Sequence, residues 1–222
     1  MGNQAGVQLQ AAGVRYTAGR TEVWALRNLD IAIGGGLTVV SGVSGSGKST
    51  LLSLLGLLRR PTEGTVTFFG HQVDSLDATA MDRLRAECVG FAFQDHALVP
   101  HLSLLENVML PLLAQHPQAQ TQQARAILER VGLALQMERL PSEVSFGQAQ
   151  RAALCRALAR SPQIVLADEV TASLDAGSAE IILGMLREAV SKGVAVVLAT
   201  HDERLCAVAD AVIRLEDGVM LR

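Results

Sequence analysis

The arrangement of apolar and polar positions divides the chain into short segments. Val7 to Val14 and Val23 to Ile33 read as strands, and the turn-rich Thr17-Ala18-Gly19 follows the first. Leu37 to Ser41 is a short apolar strand that runs into a glycine-rich loop. Leucines then recur from Lys48 to Leu58, which predicts a helix ended by Arg59-Arg60-Pro61. Gly64 to Phe69 and Cys88 to Phe93 read as further strands. The pattern changes from about residue 95 to 160, where early prolines give way to helical periodicity over Thr121 to Val131 and Gln148 to Arg160. This stretch is expected to be a helical insertion. Ile164 to Ala167, Val194 to Ala199 and Ala211 to Leu215 are buried-strand candidates, separated by helices near Ala176 to Val190 and Glu203 to Ala209. Strands alternating with helices predict an α/β fold built on a parallel sheet covered on both faces.

Composition narrows the function classes. At 222 residues, 49% hydrophobic and 18% charged, the chain is long and apolar enough to bury a core, which excludes intrinsic disorder. Aromatic residues are only 3%, so the core is aliphatic and base stacking on aromatic platforms is not the theme. A formal charge of −3, a pI near 5.9 and the absence of a Lys/Arg run argue against a nucleic-acid partner. Cys88, Cys155 and Cys206 are scattered without a CxxC pair, the usage expected of buried thiols in a reducing compartment. MGNQAGVQLQ lacks the features of a secretory signal, and Gly6 stands where myristoylation wants Ser or Thr. The most apolar long stretch, Leu98 to Ala114, is interrupted by His101, Glu106 and Asn107, so no membrane span is expected. These features predict a soluble cytoplasmic protein, and a mean hydropathy of +0.29 hints at apolar surface that meets a partner.

The chemistry is concentrated at two strand ends. Gly42-Val-Ser-Gly-Ser-Gly-Lys48-Ser49 matches G-x-x-x-x-G-K-[ST]. Gly42, Ser44, Gly45, Ser46 and Gly47 would turn backbone N–H groups toward an anion, and the helix opening at Lys48, Ser49 and Thr50 adds its positive end. Lys48 supplies a point charge for β and γ phosphates, and Ser49 a hard oxygen for Mg²⁺. The second element is Ile164-Val-Leu-Ala-Asp168-Glu169, an apolar strand with two acids at its carboxyl end. Asp168 is placed to hold Mg²⁺, and Glu169 to orient or deprotonate an attacking water. Together these elements predict a nucleoside triphosphate hydrolase.

Further pieces carry a resemblance to the ATP-binding cassette (ABC) ATPases. Ser145-Phe-Gly-Gln148-Ala-Gln-Arg151 is similar to the family signature LSGGQ-x-Q-R, with Val144 in the leucine position. Phe93-Gln94 resembles the Q-loop, Ser173-Leu174-Asp175 the D-loop, and Thr200-His201-Asp202 the switch histidine. Tyr16 is similar to the aromatic residue that stacks on adenine. The resemblance implies a P-loop NTPase (RecA-like) core with an N-terminal antiparallel β subdomain. It also implies that residues 1–222 form a single ABC ATPase domain, with a helical subdomain inserted at about 95–160. Two copies would form a head-to-tail homodimer around two ATP, with Ser145, Gly147 and Gln148 facing the γ-phosphate bound by the other copy. In the family's scheme Gln94 senses Mg²⁺ and water, His201 contacts the γ-phosphate, and Asp175 links the two sites. Glu169, His201 and Gln94 are then the expected catalytic residues, and Ser49, Gln94 and Asp168 the expected Mg²⁺ holders.

Gly90-Phe-Ala-Phe-Gln94, Leu98-Val-Pro-His-Leu102 and Glu106-Asn-Val-Met-Leu-Pro-Leu112 resemble ATPases serving FtsX-like permeases of macrolide, lipoprotein-release and haem exporters. The run Thr171 to Ala176 and the ending Ala209 to Gly218 lean toward the haem type. A non-transport ATPase that regulates a membrane protein is the alternative. The resemblance places the chain at the cytoplasmic face of the cell membrane, held peripherally through a permease. A groove near Gln94 to Leu112 would receive the permease if Leu98 and Leu102 face it; the alternative for Leu98 to Leu112 is an internal amphipathic helix hidden in the core. Three departures from the pattern stand out: Phe146 for the first signature glycine, Val170 for the proline after the acid pair, and Val144 for leucine. Phe146 is expected to keep an ordinary helical backbone, its ring turned away from ATP toward the facing subunit or the helical subdomain.

Overall fold

The computed structural model describes residues 6–19, 21–113 and 117–221, so the first five residues of the amino-terminal stretch and Ala114 lie outside the described residues. The chain divides into two compact units, Met1–Arg85 with Ala195–Arg222, and Ala86–Val194.

In the first unit, β1 (Val7–Ala18) and β2 (Thr21–Ile33) form a long antiparallel hairpin. β4 (Glu63–Phe68) and β5 (His71–Gln72) extend it into a sheet of order β2-β1-β4-β5. β1 does not stop at Val14: Arg15, Tyr16 and Thr17 pair with Trp24, Val23 and Glu22, so cross-strand pairing overrides local turn propensity and the turn falls at Gly19. The unit also holds β3 (Gly36–Ser41), β8 (Ala195–Thr200), β9 (Ala211–Glu216) and β10 (Val219–Leu221). β3 is parallel to both β8 and β9, and β10 closes a hairpin on β9. Val39, Val40, Val196, Val197 and Leu198 are fully buried, as the continuous apolar runs require of central parallel strands. Helix α1 (Lys48–Leu55) follows β3 and buries Leu51, Leu54 and Leu55. It ends three residues before Leu58 because Gly56 N–H closes onto Leu52 O and Leu57 turns left-handed at φ 58°.

Two helices depart from the sequence reading. α2 (Ala78–Cys88) was not expected, since its composition is polar; Asp77 Oδ1 accepts from Ala80 N–H at its start, a cap that the apolar pattern does not show. α7 ends at Cys206 (Glu203–Cys206) rather than Ala209, and Asp202 caps it by accepting from Arg204 N–H.

The second unit pairs β6 (Val89–Ala92) in parallel with β7 (Ile164–Asp168). Around the pair stand α3 (Leu104–Met109), α4 (Pro117–Arg130), α5 (Phe146–Leu158) and α6 (Ala176–Ser191). Leu104, Val108, Leu128, Leu133, Ala152 and Ala153 are fully buried in one aliphatic cluster, and the alanines on α5 let its neighbours approach closely. Leu98 belongs to this cluster at 6% exposure, so it faces the core and does not line a docking groove; Leu102 is half-buried. The apolar spacing of this segment is satisfied by the core itself. Cys88 and Cys155 are buried as expected, burial pushing the Cys155 thiol up to about 12, whereas Cys206 is only half-buried.

Asn107, fully buried, holds the loop before α3 together. Its Nδ2 donates to the carbonyls of Val99, Leu102 and Ser103, and its Oδ1 accepts from Val99 N–H. Asn107→Ala strands those groups, and is expected to lower stability by about 2–3 kcal/mol. Urea unfolding checks this, and an unchanged midpoint would remove Asn107 from the list of stabilising groups.

Candidate active site

The first unit holds the glycine-rich loop at the carboxyl end of β3. Gly45 and Gly47 adopt φ 82° and 105°, and a Cβ on Gly47 would lie 2.6 Å from Ala25 O. The loop is backed by the β9–β10 turn, where Gly218 N–H donates to Ser46 O and Gly218 O accepts from Arg27 N–H. α1 starts at Gly47 with no side-chain cap, whereas α3, α5 and α6 are capped by Ser103, Ser145 and Asp175. Gly47 therefore offers the first N–H groups of α1 no side-chain acceptor. Ser46 Oγ is buried and has no partner among the described residues. Lys48 is buried, with Nζ donating to Gly42 O at 2.8 Å and Val43 O at 3.1 Å, so its charge is folded onto the loop's own carbonyls. A loop shaped by positive-φ glycines, a helix start without a side-chain cap and a buried lysine fit the phosphates of a nucleotide.

Ser49 is exposed at the start of α1, and Thr50 Oγ1 stands 3.4 Å from the Tyr16 hydroxyl. Ser41 and Thr200 are register partners of the adjacent parallel strands β3 and β8. The loop and the exposed His201 therefore leave neighbouring strand ends, the position where open α/β sheets bind ligands. Thr200 Oγ1 accepts from Asp202 N–H, which fixes the turn at His201.

The second unit repeats that logic. Ala92 and Ala167 are register partners of β6 and β7, so Gln94 and the pair Asp168-Glu169 also leave adjacent parallel strand ends. Glu169 has φ 47°, a left-handed backbone for a residue with a Cβ, of the kind that clusters at functional sites. The turn after it is closed by Ala172 N–H donating to Glu169 O. Val170, in the place of the family proline, is buried. Ser145 and Gln148 form a capping box at the start of α5: Ser145 Oγ accepts from Gln148 N–H, and Gln148 Oε1 accepts from Ser145 N–H. Gly147 is buried, and a Cβ there would lie 2.8 Å from Ser178 Oγ, so α5 packs closely on α6 at this point. Asp175 accepts from Ser178 N–H as the cap of α6, and hydrogen bonds from Ser178 hold its carboxyl below the usual range.

Phe146 is the first residue of α5, with right-handed backbone and 42% exposure. Its ring lies tilted at 52° to that of His96, two residues beyond Gln94, with centroids 5.8 Å apart, so it turns onto the beginning of the helical segment. α5 grips this stretch at other points. Gln150 Nε2 donates to Phe93 O, and the Arg156 guanidinium donates to His96 O and Ala97 O. Both His96 and Ala97 are left-handed, at φ 54° and 46°. Sequence reasoning missed these residues; a polar Gln150 on the buried side of α5 was the one available signal. It also missed Glu203, whose Oε1 accepts from the Ser41 hydroxyl at the end of β3, and Arg59, which lies over Tyr16. A cavity of about 820 Å³ between α4 and α6 is lined by none of the expected residues.

Residues 26–172 match the family model described as ABC transporter. The chain belongs to the ABC transporter family. It is 42% identical to the lipoprotein-releasing system ATP-binding protein LolD of Anaeromyxobacter dehalogenans, over 95% of this chain and 91% of that protein. It is 40% identical to the macrolide export ATP-binding/permease protein MacB 2 of Aeromonas hydrophila, over 96% of this chain; the chain spans about a third (33%) of that relative's length. Among solved structures, the ATP-binding cassette MJ0796, a dimer in a post-hydrolysis state bound to ADP and phosphate, superposes with a TM-score of 0.92 at 35% identity, covering 97% of each chain. The α/β fold of this chain is thus that of an ABC ATPase cassette, and the chain is classed as an ATP hydrolase of that family.

Phe146 leaves the ABC signature helix with normal backbone and an intact Ser145 cap. Phe146→Gly is therefore expected to change steady-state ATP turnover by less than about tenfold, or 1.4 kcal/mol of barrier. A gain far above tenfold would mean that the phenylalanine obstructs the site.

Proposed function

We propose that residues 1–222 act as one ATPase domain, with the helical segment at about 95–160 an insertion, and that two copies close around two ATP to drive an FtsX-like permease. The observation that best supports this is the uncapped start of α1, with Lys48 already drawn into the loop before it. Gly42, Ser44, Gly45, Ser46, Gly47 and Thr50 line the phosphate cradle, Lys48 moves from its carbonyls to the β and γ phosphates, and Tyr16 stacks on adenine. The hydroxyl, amide and carboxylate oxygens of Ser49, Gln94 and Asp168 suit Mg²⁺, which when bound neutralises charge on the phosphates. Glu169 accepts a proton from the attacking water, while His201 and Gln94 orient the γ-phosphate and that water. Ser145 Oγ uses a lone pair to cap its own helix, so its proton is left to donate to a γ-phosphate held by the second copy, beside Gly147 and Gln148.

The dimer and the permease are supported by relatives that are themselves a dimeric cassette and export or release ATP-binding proteins. Lipoprotein release and macrolide export are compatible cargo classes; the relatives reported above do not support the lean toward haem, which is set aside. No described helix is long and apolar enough to cross a membrane, consistent with peripheral attachment through the permease at the cytoplasmic face.

Lys48→Ala is expected to abolish ATP binding or hydrolysis, because the phosphates lose their cation; nucleotide titration measures it, and unchanged turnover would sink the phosphate-loop assignment. Glu169→Gln is expected to keep ATP binding, lose on the order of 10²-fold or more in turnover, and accumulate a closed dimer. Size-exclusion chromatography with ATP reads the dimer, and a monomeric, fully active variant would contradict the role given to Glu169.

A further inference from the structure

Two consecutive arginines follow α1, and they behave differently. Arg60 is built into the fold: its guanidinium donates to Val73 O and Leu76 O. Arg59, half-buried, makes no ion pair among the described residues, and its guanidinium carbon lies 4.2 Å from the centroid of the Tyr16 ring. That is closer than either arginine beside Trp24, at 5.3 and 5.9 Å. The outer end of the Tyr16 ring is also tethered, its hydroxyl 3.4 Å from Thr50 Oγ1 in the first turn of α1. Tyr16 is nonetheless 38% exposed. A ring covered on one face, tied at its hydroxyl and still this accessible has its opposite face to offer.

We infer that Arg59 is a positioning residue for the nucleotide base: it lies against one face of Tyr16, fixes the ring beside the phosphate loop, and leaves the other face as a stacking surface for a purine. A planar guanidinium suits this place because it stacks as well as carrying charge. The cation draws the ring's π density toward itself, leaving the far face better matched to an electron-rich base. Holding the ring in one orientation before the ligand arrives also reduces the ordering cost of binding. The inference rests on Tyr16 being the base-stacking residue, so the test separates the two.

Equilibrium binding of ATP and of inorganic tripolyphosphate is measured on the full chain for wild type, Arg59→Ala, Arg59→Lys and Tyr16→Ala. Arg59→Ala is expected to weaken ATP about two- to fivefold, the worth of an exposed cation–π contact, with tripolyphosphate unchanged. Arg59→Lys, which keeps the charge and loses the plane, should recover part of the loss. If Tyr16→Ala weakens ATP while Arg59→Ala leaves it unchanged or tightens it, Arg59 is idle or competes with the base, and the inference falls alone. Equal loss of ATP and tripolyphosphate in Arg59→Ala would show a general charge effect on the phosphates and overturns it too. If Tyr16→Ala leaves ATP binding intact, the stacking role of Tyr16 fails and the inference fails with it.

Discussion

Helix α1 begins at a glycine that offers its backbone donors no side-chain cap, and the surrounding architecture serves that omission. Four N–H groups at any helix start need acceptors, and at α3, α5 and α6 Ser103, Ser145 and Asp175 each accept from one of them. At Gly47 no side chain does, and the loop before it is shaped by positive φ at Gly45 and Gly47. The loop cannot relax toward a more ordinary turn, because Ala25 O and the Gly218 turn press against it from behind. The buried Ser46 hydroxyl, without a partner among the described residues, is a cost to stability at this loop, and Lys48 is held there by the loop's own carbonyls.

Parallel pairing then decides which side chains share a strand end. β3 with β8 and β6 with β7 each bring two functional segments to adjacent carboxyl ends through a register fixed by apolar runs. The strands themselves carry almost no chemistry: they are buried aliphatic side chains whose tight packing leaves little freedom in where the following loops emerge. The left-handed backbone at Glu169 is the point where such order meets local strain.

Much of this was legible in the sequence because the signals involved are local. A glycine-lysine-serine loop after an apolar strand, acids at the end of another, and Ser145 three residues before Gln148 all declare their geometry within a few residues. What was hidden depends on pairing or packing at a distance. β1 runs past Val14 because β2 is there to pair with it. Leu98 is apolar whether it faces a partner or the core, and only the cluster around Leu104 and Val108 decides between them. Gly147 is matched by the signature pattern, yet what packs closely against it is Ser178, thirty-one positions away.

Phe146 shows how such distant packing can absorb a departure from a family pattern. A glycine at the first turn of a helix is replaceable when the backbone there is right-handed and the new side chain finds a surface of its own. His96 supplies that surface, and the same stretch is held to α5 by Gln150 and Arg156 through main-chain carbonyls. Because those bonds reach backbone atoms, they hold the path of the chain after Gln94 whatever side chains it carries. The ring adds apolar contact to a junction already fixed by hydrogen bonds, and the cap formed by Ser145 and Gln148 does not pass through it. The bulk that the family pattern excludes is thus accommodated at the start of α5, against His96 in the segment following Gln94.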